Sequence, residues 1–230
     1  MKICGLQKLT LLDYPEKLAC TVFTGGCNFR CPFCHNASLV LGPPDGETLP
    51  EEELFLFLKK RVGVLAGVCV TGGEPLIHED LPDFLRKIKE LGYAVKLDTN
   101  GYFPGKLKEL VAQGLVDYVA MDVKSDPAHY AQAAGLPSLD YSQIAESIRF
   151  LLSEPVDCEF RTTVVGGLHD ADILRNTARS VEGAKRYFLQ QFVDSGDLIG
   201  SGFFAFSDGE MKTFLDLVSP CVKIAGLRGV

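Results

Sequence analysis

Apolar strand-like runs alternate with amphipathic helical stretches along most of this chain, and that alternation limits the fold more than any other feature. Strand candidates are residues 18–23, 67–71, 93–98, 117–122, 158–165 and 185–192. They are rich in Val, Leu, Ile and Phe with little polar alternation, the pattern of parallel strands covered on both faces. Residues 50–62 carry Leu54, Phe57 and Leu58 at helical spacing, and Thr48 with Glu51 reads as a capping box. Residues 81–91 place Leu81, Phe84, Leu85, Ile88 and Leu91 on one helical face and stop at Gly92. Residues 141–152, 172–181 and 208–218 read the same way, the last opened by Ser207 and Glu210 as another capping box. Six such β–α units imply a parallel sheet with right-handed crossovers, either a full or partial barrel or a doubly wound sheet. Residues 2–12, ending in the turn Asp13-Tyr14-Pro15-Glu16, predict an extra strand beside the first core strand. No Pro/Gly-rich linker interrupts the pattern, so it implies a single domain over 1–230, with the glycine-rich stretch 193–206 reading as a loop or lid.

The first core strand runs into Thr24-Gly25-Gly26 and then into Cys27-Asn28-Phe29-Arg30-Cys31-Pro32-Phe33-Cys34, a C-x3-C-x2-C loop. Three thiolates so close in sequence converge on one metal centre. A cubane iron–sulfur cluster takes four ligands, so three cysteines leave one iron open to a substrate, which points to S-adenosylmethionine. The competing assignment is zinc, with His35 or a distant residue as fourth ligand. Structural zinc usually pairs two C-x2-C halves, and no second pair exists here, so the spacing favours the cluster. Cys4, Cys20, Cys69, Cys158 and Cys221 are scattered singly; Cys20, Cys69 and Cys158 lie in apolar runs and read as small buried hydrophobes. No signal peptide opens the chain, and reduced thiols are expected of a cytosolic protein, which predicts a cytoplasmic location. The net charge of −7 argues against a binder that tracks nucleic-acid phosphates. No apolar run approaches a membrane span.

In folds of this class ligands collect at the carboxyl ends of the strands. The conspicuous polar motifs fall there: Thr71-Gly72-Gly73-Glu74-Pro75, Asp98-Thr99-Asn100-Gly101, Asp122-Val123-Lys124, Arg161-Thr162-Thr163 with His169 beyond, and Gln190-Gln191-Phe192. Each has an ordinary alternative as a turn, a cap or a surface ion pair. Their recurrence at successive strand ends, behind the cysteine loop, favours one shared site.

With these motifs in place the chain resembles radical S-adenosylmethionine enzymes, and more narrowly the glycyl-radical-enzyme activating family. The likeness runs from Gly5-Leu6-Gln7-Lys8-Leu9-Thr10-Leu11-Leu12-Asp13-Tyr14-Pro15 through Phe23-Thr24-Gly25-Gly26-Cys27 to Cys34-His35-Asn36-Ala37, continues through the strand-end motifs, and is weakest after about residue 193. It is nearest to activating proteins of anaerobic ribonucleoside-triphosphate reductase. The resemblance implies an α/β fold, a partial (β/α)6 TIM-like barrel of parallel strands with a short N-terminal strand extension. It implies a [4Fe–4S] cluster on Cys27, Cys31 and Cys34, with S-adenosylmethionine on the fourth iron. Gly72, Gly73 and Glu74 would hold its amino group and Lys124 its carboxylate, with Asp98, Asn100 and Arg161 also in the cofactor region. Asp98, Thr99 and Asp122 match residues around a monovalent cation. Asp13, His35 and Asn36 match positions near the partner's incoming glycyl loop.

Two positions depart from the family pattern. Formate-lyase relatives have a ribose-contacting histidine where this chain has Gln190-Gln191-Phe192, so one of the two glutamines is expected to replace it, and Gln191 is counted among the cofactor-binding residues. Glu16 stands where relatives often have glycine. The implied activity is reductive cleavage of S-adenosylmethionine to a 5′-deoxyadenosyl radical, which takes a hydrogen atom from a glycine of a partner glycyl radical enzyme. Flavodoxin or ferredoxin is the implied electron donor, and the conditions are anaerobic. No general acid or base is required. Three alternatives stay open: activation of another glycyl radical enzyme of the formate-lyase type, the same radical chemistry on a small molecule, and a zinc-stabilised binding module without chemistry.

Overall fold

The computed structural model describes residues 1–42 and 48–229. Its elements, in chain order, are β1 (Ile3–Thr10), β2 (Ala19–Thr24), α1 (Ala37–Leu41), α2 (Glu51–Lys59), β3 (Gly67–Gly72), α3 (Leu81–Glu90), β4 (Ala94–Thr99), α4 (Pro104–Ala112), β5 (Tyr118–Asp122), α5 (Tyr130–Ala133), α6 (Tyr141–Leu152), β6 (Asp157–Val164), α7 (Ala171–Ser180), β7 (Tyr187–Gln191), α8 (Asp208–Val218) and β8 (Ala225–Arg228). The strands make an open sheet in chain order, β1 to β8. β1 runs antiparallel to β2. The pairs β2–β3, β3–β4, β6–β7 and β7–β8 are parallel. This is the α/β partial-barrel class, with β1 as the N-terminal extension.

All six expected core strands form. Those at the centre are closed to water on both faces: Val68, Cys69 and Val70 of β3 and Val119, Ala120 and Met121 of β5 are fully buried. The helices follow their apolar stripes. α3 buries Leu81, Phe84, Leu85 and Ile88, and α6 buries Ile144, Ile148 and Leu151. The capping box of Ser207 and Glu210 opens α8 as expected.

The box expected from Thr48 and Glu51 does not form. Pro50 takes the N-cap position with no side-chain cap bond, which leaves Thr48 two residues too early to reach the first turn. Glu51 binds the terminal amine of Met1 and Lys87 Nζ instead, at 3.4 and 2.7 Å. Among the described residues no helix is long and apolar enough to cross a membrane.

The chain divides into two compact units. The first comprises Met1–Asn28, Ser38–Thr99 and Gly105–Val119; the second comprises Phe29–Ala37, Asn100–Pro104 and Ala120–Val230.

Candidate cofactor site

In the first unit, strand register gathers polar side chains on one face. Thr21 pairs with Cys69, and Cys69 with Lys96. The two-residue period adds Thr71 and Asp98 to the same face. The Thr21 hydroxyl donates to Asp13 Oδ2 at 2.5 Å, fixing the turn that follows β1. Asp13 is held further by its own N–H, which donates to the Thr10 hydroxyl at 3.2 Å. Lys96 Nζ forms an ion pair with Asp98 Oδ1, and the Thr71 hydroxyl donates to Asp98 Oδ2 at 3.4 Å. Sequence reasoning passed over Lys96. Its signal was a lysine in an apolar strand, two residues from an aspartate and so on the same face.

The Gly72-Gly73 pair serves a close crossing of two backbones. Gly73 N–H donates to Thr24 O and Glu74 N–H to Gly26 O, both at 2.9 Å. A Cβ on Gly73 would lie 1.8 Å from Gly26 O, and Gly72 sits at φ +115 against the Thr24 backbone. The end of β3 is thereby fastened to the entry of the cysteine loop. Glu74 is fully buried. Its Oε1 accepts the Thr99 hydroxyl at 2.7 Å and Leu76 N–H at 3.0 Å.

In the second unit Asp122 bridges two cations, with Oδ2 3.1 Å from Lys124 Nζ and Oδ1 2.9 Å from Arg161 Nε. Burial opposes ionisation of Asp122, but the Arg161 guanidinium and the Lys124 ammonium outweigh it and hold the carboxyl well below the usual carboxylate range. Burial likewise opposes the Lys124 charge. Asp122 and then Cys31 outweigh it, so the lysine stays protonated and Cys31 lies within its field. His35 is exposed as a residue, yet desolvation of its ring, followed by the Lys124 ammonium, lowers its pKa. Cys31, His35, Asp122, Lys124 and Arg161 therefore form one electrostatic neighbourhood.

Tyr130, which sequence reasoning did not assign, and His169, noted beyond the Arg161 motif, support this neighbourhood. Tyr130 is fully buried, with its hydroxyl 3.5 Å from Asp122 O. His169 accepts Val165 N–H on Nδ1 at 3.0 Å, which leaves Nε2 to donate to Lys124 O at 2.9 Å. The neutral tautomer is assigned from these two bonds.

The cysteine loop is braced on both sides within this unit. Arg30 N–H donates to Ala134 O at 2.9 Å, and a Cβ on Gly135 would lie 1.9 Å from Arg30 O. Phe29 packs edge-on to Tyr102 and Tyr130, at 5.7 and 6.5 Å. The segment 193–206 is tied to the rear of the loop. Gly200 N–H donates to Pro32 O at 2.7 Å, Ala37 N–H to Asp197 O at 3.3 Å, and the Ser195 hydroxyl to His35 O at 3.0 Å. Asn36 is half-buried in the same stretch. Asn100 is buried and its Oδ1 accepts Tyr102 N–H at 3.0 Å, a turn-forming bond.

The register of β7 places the two glutamines on opposite faces. Gln190 pairs with Thr163 and Phe188 with Arg161, so Gln190 shares the face of Arg161 and Asp122. Gln191 lies on the opposite face with the buried Tyr187 and Leu189, and its Nε2 donates to Phe206 O at 2.5 Å. Gln190 thus lies on the Arg161 face, while Gln191 Oε1 is buried without a hydrogen-bond partner among the described residues.

These residues fit the implied cofactors. Cys27, Cys31 and Cys34 form no disulfide, Cys31 being buried and the others half-buried. Among the described residues no three His, Cys, Asp or Glu side chains converge as ligands of a single ion do; cubane ligands differ, each sitting on its own iron. The Ser125 hydroxyl, one residue past Lys124, is fully buried without a hydrogen-bond partner among the described residues, the condition that a bound polar ligand relieves.

Comparison with known proteins agrees with this reading. The pattern of the radical SAM superfamily matches residues 21–177. A Methanocaldococcus jannaschii protein, provisionally named a glycyl-radical enzyme activating enzyme, is 33% identical over 198 residues, covering 83% of this chain and 79% of the relative. A Thermococcus kodakarensis protein, also provisionally named, as a GTP 3',8-cyclase, is 31% identical over 156 residues, covering 65% of this chain and 48% of that protein. The crystal structure of Streptococcus suis SuiB bound to precursor peptide SuiA matches with a TM-score of 0.70 at 12% identity, covering 91% of this chain and 48% of SuiB. The SuiB likeness speaks for the fold alone, and the chain spans about half the length of the cyclase and of SuiB. Through the matched superfamily pattern and its archaeal relative, the chain belongs to the radical SAM superfamily and, within it, to the glycyl-radical-enzyme activating family.

Proposed function

We propose that this chain activates a glycyl radical enzyme, with anaerobic ribonucleoside-triphosphate reductase as the first candidate and formate lyase as the second. The observation that carries the reading is the likeness to the archaeal activating enzyme, which extends over 79% of that relative. A surface suited to a protein partner supports it. Leu9, Leu11 and Leu12, on and just beyond edge strand β1 and next to Asp13, are 56%, 74% and 88% exposed.

A [4Fe–4S] cluster and S-adenosylmethionine supply one-electron cleavage of a carbon–sulfur bond and the hydrogen abstraction that follows. The protein's own part is to bind, orient and exclude water. Cys27, Cys31 and Cys34 hold the cluster. Lys124, kept protonated by Asp122, meets a carboxylate, and Glu74 accepts from an ammonium. Gln190 and Arg161 face the nucleoside. Phe29 and Phe33, both buried, keep the loop's inner side dry. A flavodoxin or ferredoxin delivers the electron.

The test is anaerobic reconstitution followed by incubation with dithionite, S-adenosylmethionine and purified reductase. The expected result is a glycyl radical signal in electron paramagnetic resonance that is lost in Cys27→Ala, Cys31→Ala and Cys34→Ala. The likeness to the GTP 3',8-cyclase favours a second reading, chemistry on a nucleotide. Turnover of GTP without any glycyl radical on either candidate partner would establish that reading and reject the first. A colourless protein holding zinc would reject both.

A further inference from the structure

The end of β4 does not fit the monovalent cation that the resemblance implied for Asp98, Thr99 and Asp122. Asp98 Oδ1 is already ion-paired with Lys96 Nζ. The Cys69 thiol points to the same oxygen at 3.7 Å, and the Thr71 hydroxyl donates to Oδ2 at 3.4 Å. The Thr99 hydroxyl donates to Glu74 at 2.7 Å. In the other unit Asp122 has cations of its own, Lys124 and Arg161. A carboxylate already paired with a cation of the chain attracts a metal ion much less strongly, because the two positive charges repel. Here each carboxylate carries a fixed cation from the chain.

Lys96 is 1% exposed, near the middle of a parallel strand. An ammonium in such a place is expensive unless a carboxylate and further hydrogen-bonding groups meet it. The register supplies both, with Asp98 two residues along the same face and Cys69 across the ladder, 3.8 Å from Nζ. A leucine or valine would fill this strand position at no electrostatic cost, so the lysine calls for an explanation beyond packing.

We propose that Lys96 is the resident cation of the β4 end: its ammonium takes the place of a monovalent metal ion and sets the orientation in which Asp98 faces the cofactor. The inference rests on the reading of Asp98 as a cofactor-side residue. Lys96 is then a positioning residue acting through Asp98, and the enzyme works without Na⁺ or K⁺.

Two measurements on the unaltered protein decide the cation question. The melting temperature of the apo chain is compared in NaCl, KCl and tetramethylammonium chloride at equal ionic strength. Affinity of the anaerobically reconstituted protein for S-adenosylmethionine is then measured by calorimetry in the same salts. Both are expected to be unchanged by the choice of cation. A selective rise in melting temperature, or a gain in affinity of about tenfold with Na⁺ or K⁺, overturns the proposal. In Lys96→Met, affinity should fall about tenfold in tetramethylammonium salt and recover in part with Na⁺ or K⁺, which fill the site beside the bare Asp98. A Lys96→Met protein that binds like the parent in tetramethylammonium salt also overturns it. If that variant fails to fold, the parent measurements still decide. No binding by the parent in any salt would count against the cofactor reading, while the apo melting series would still answer for Lys96.

Discussion

Replacing Gly73 with alanine should damage the protein at the one place where the end of β3 crosses the entry of the cysteine loop. The added methyl carbon would sit 1.8 Å from Gly26 O and 2.6 Å from Gly26 C. Both are backbone atoms, so no side chain can swing away. Relief requires the two segments to part. That breaks the bonds from Gly73 N–H to Thr24 O and from Glu74 N–H to Gly26 O, each 2.9 Å long. Two backbone hydrogen bonds contribute about 1 kcal/mol each, and the displaced packing adds about 1–3 kcal/mol. The expected loss is therefore about 3–5 kcal/mol, a large share of the stability of an ordinary domain. Urea unfolding of the apo protein, followed by circular dichroism, measures it. Gly105→Ala is the control. That glycine lies in α4 with nothing within 4 Å of the added carbon, so alanine there should stabilise by about 0.5–1 kcal/mol. Iron incorporation should fall in Gly73→Ala, because Gly26 directly precedes Cys27. A loss below about 1 kcal/mol would refute the reasoning, since the crossing would then be soft enough to absorb a methyl group.

Two other outcomes follow from the second unit. Burial holds the His169 pKa below its ordinary 6.5, so the unfolded chain takes up a proton near pH 6.5 that the fold refuses. The His169 contribution to stability is complete above that pH and is lost as pH falls from 6.5 towards the depressed folded value, at up to about 1.4 kcal/mol per pH unit. His169→Gln keeps an acceptor for Val165 N–H and a donor for Lys124 O. It should remove part of this slope, leaving that of His35 and His78, whose pKa values are also lowered; an unaltered slope in urea midpoints would reject the assignment. Gln190→Ala should weaken S-adenosylmethionine binding by about tenfold with little loss of stability, whereas Gln191→Ala should cost about 1 kcal/mol of stability through its bond to Phe206 O and leave binding intact. Calorimetry showing the reverse order would overturn the face assignment.

Most of the architecture was legible because its signals are local. Six apolar runs and the amphipathic stripes between them needed no knowledge of the partner elements. The elements that escaped are short or disguised. β8 has four residues, two of them Gly226 and Arg228, and it becomes a strand only by pairing with β7. α4 opens with Pro104-Gly105, which reads as a breaker although proline is favoured at a helix start. α5 is a single turn, too short for any periodicity. The Thr48–Glu51 box was the opposite error, a true local pattern displaced by a proline that took the cap position itself.

The candidate site divides along the same line. The cysteine loop and the strand-end motifs are contiguous, so their chemistry could be seen in one dimension. What they touch could not. Asp122 and Arg161 are 39 residues apart, and their meeting depends on how β6 lies in the sheet. The paired glutamines make the limit sharper. Adjacent residues in a strand point to opposite faces, so a shift of one residue changes which side chain shares the Arg161 face. Nothing within Gln190-Gln191-Phe192 settles which glutamine faces Arg161. The pairing of Gln190 with Thr163 does, because Thr163 lies two residues beyond Arg161 and shares its face. Lys96 is the converse case. Its parity with Asp98 was readable all along, but a lysine in a buried strand looked like an exception to the pattern, when it is the residue that neutralises Asp98.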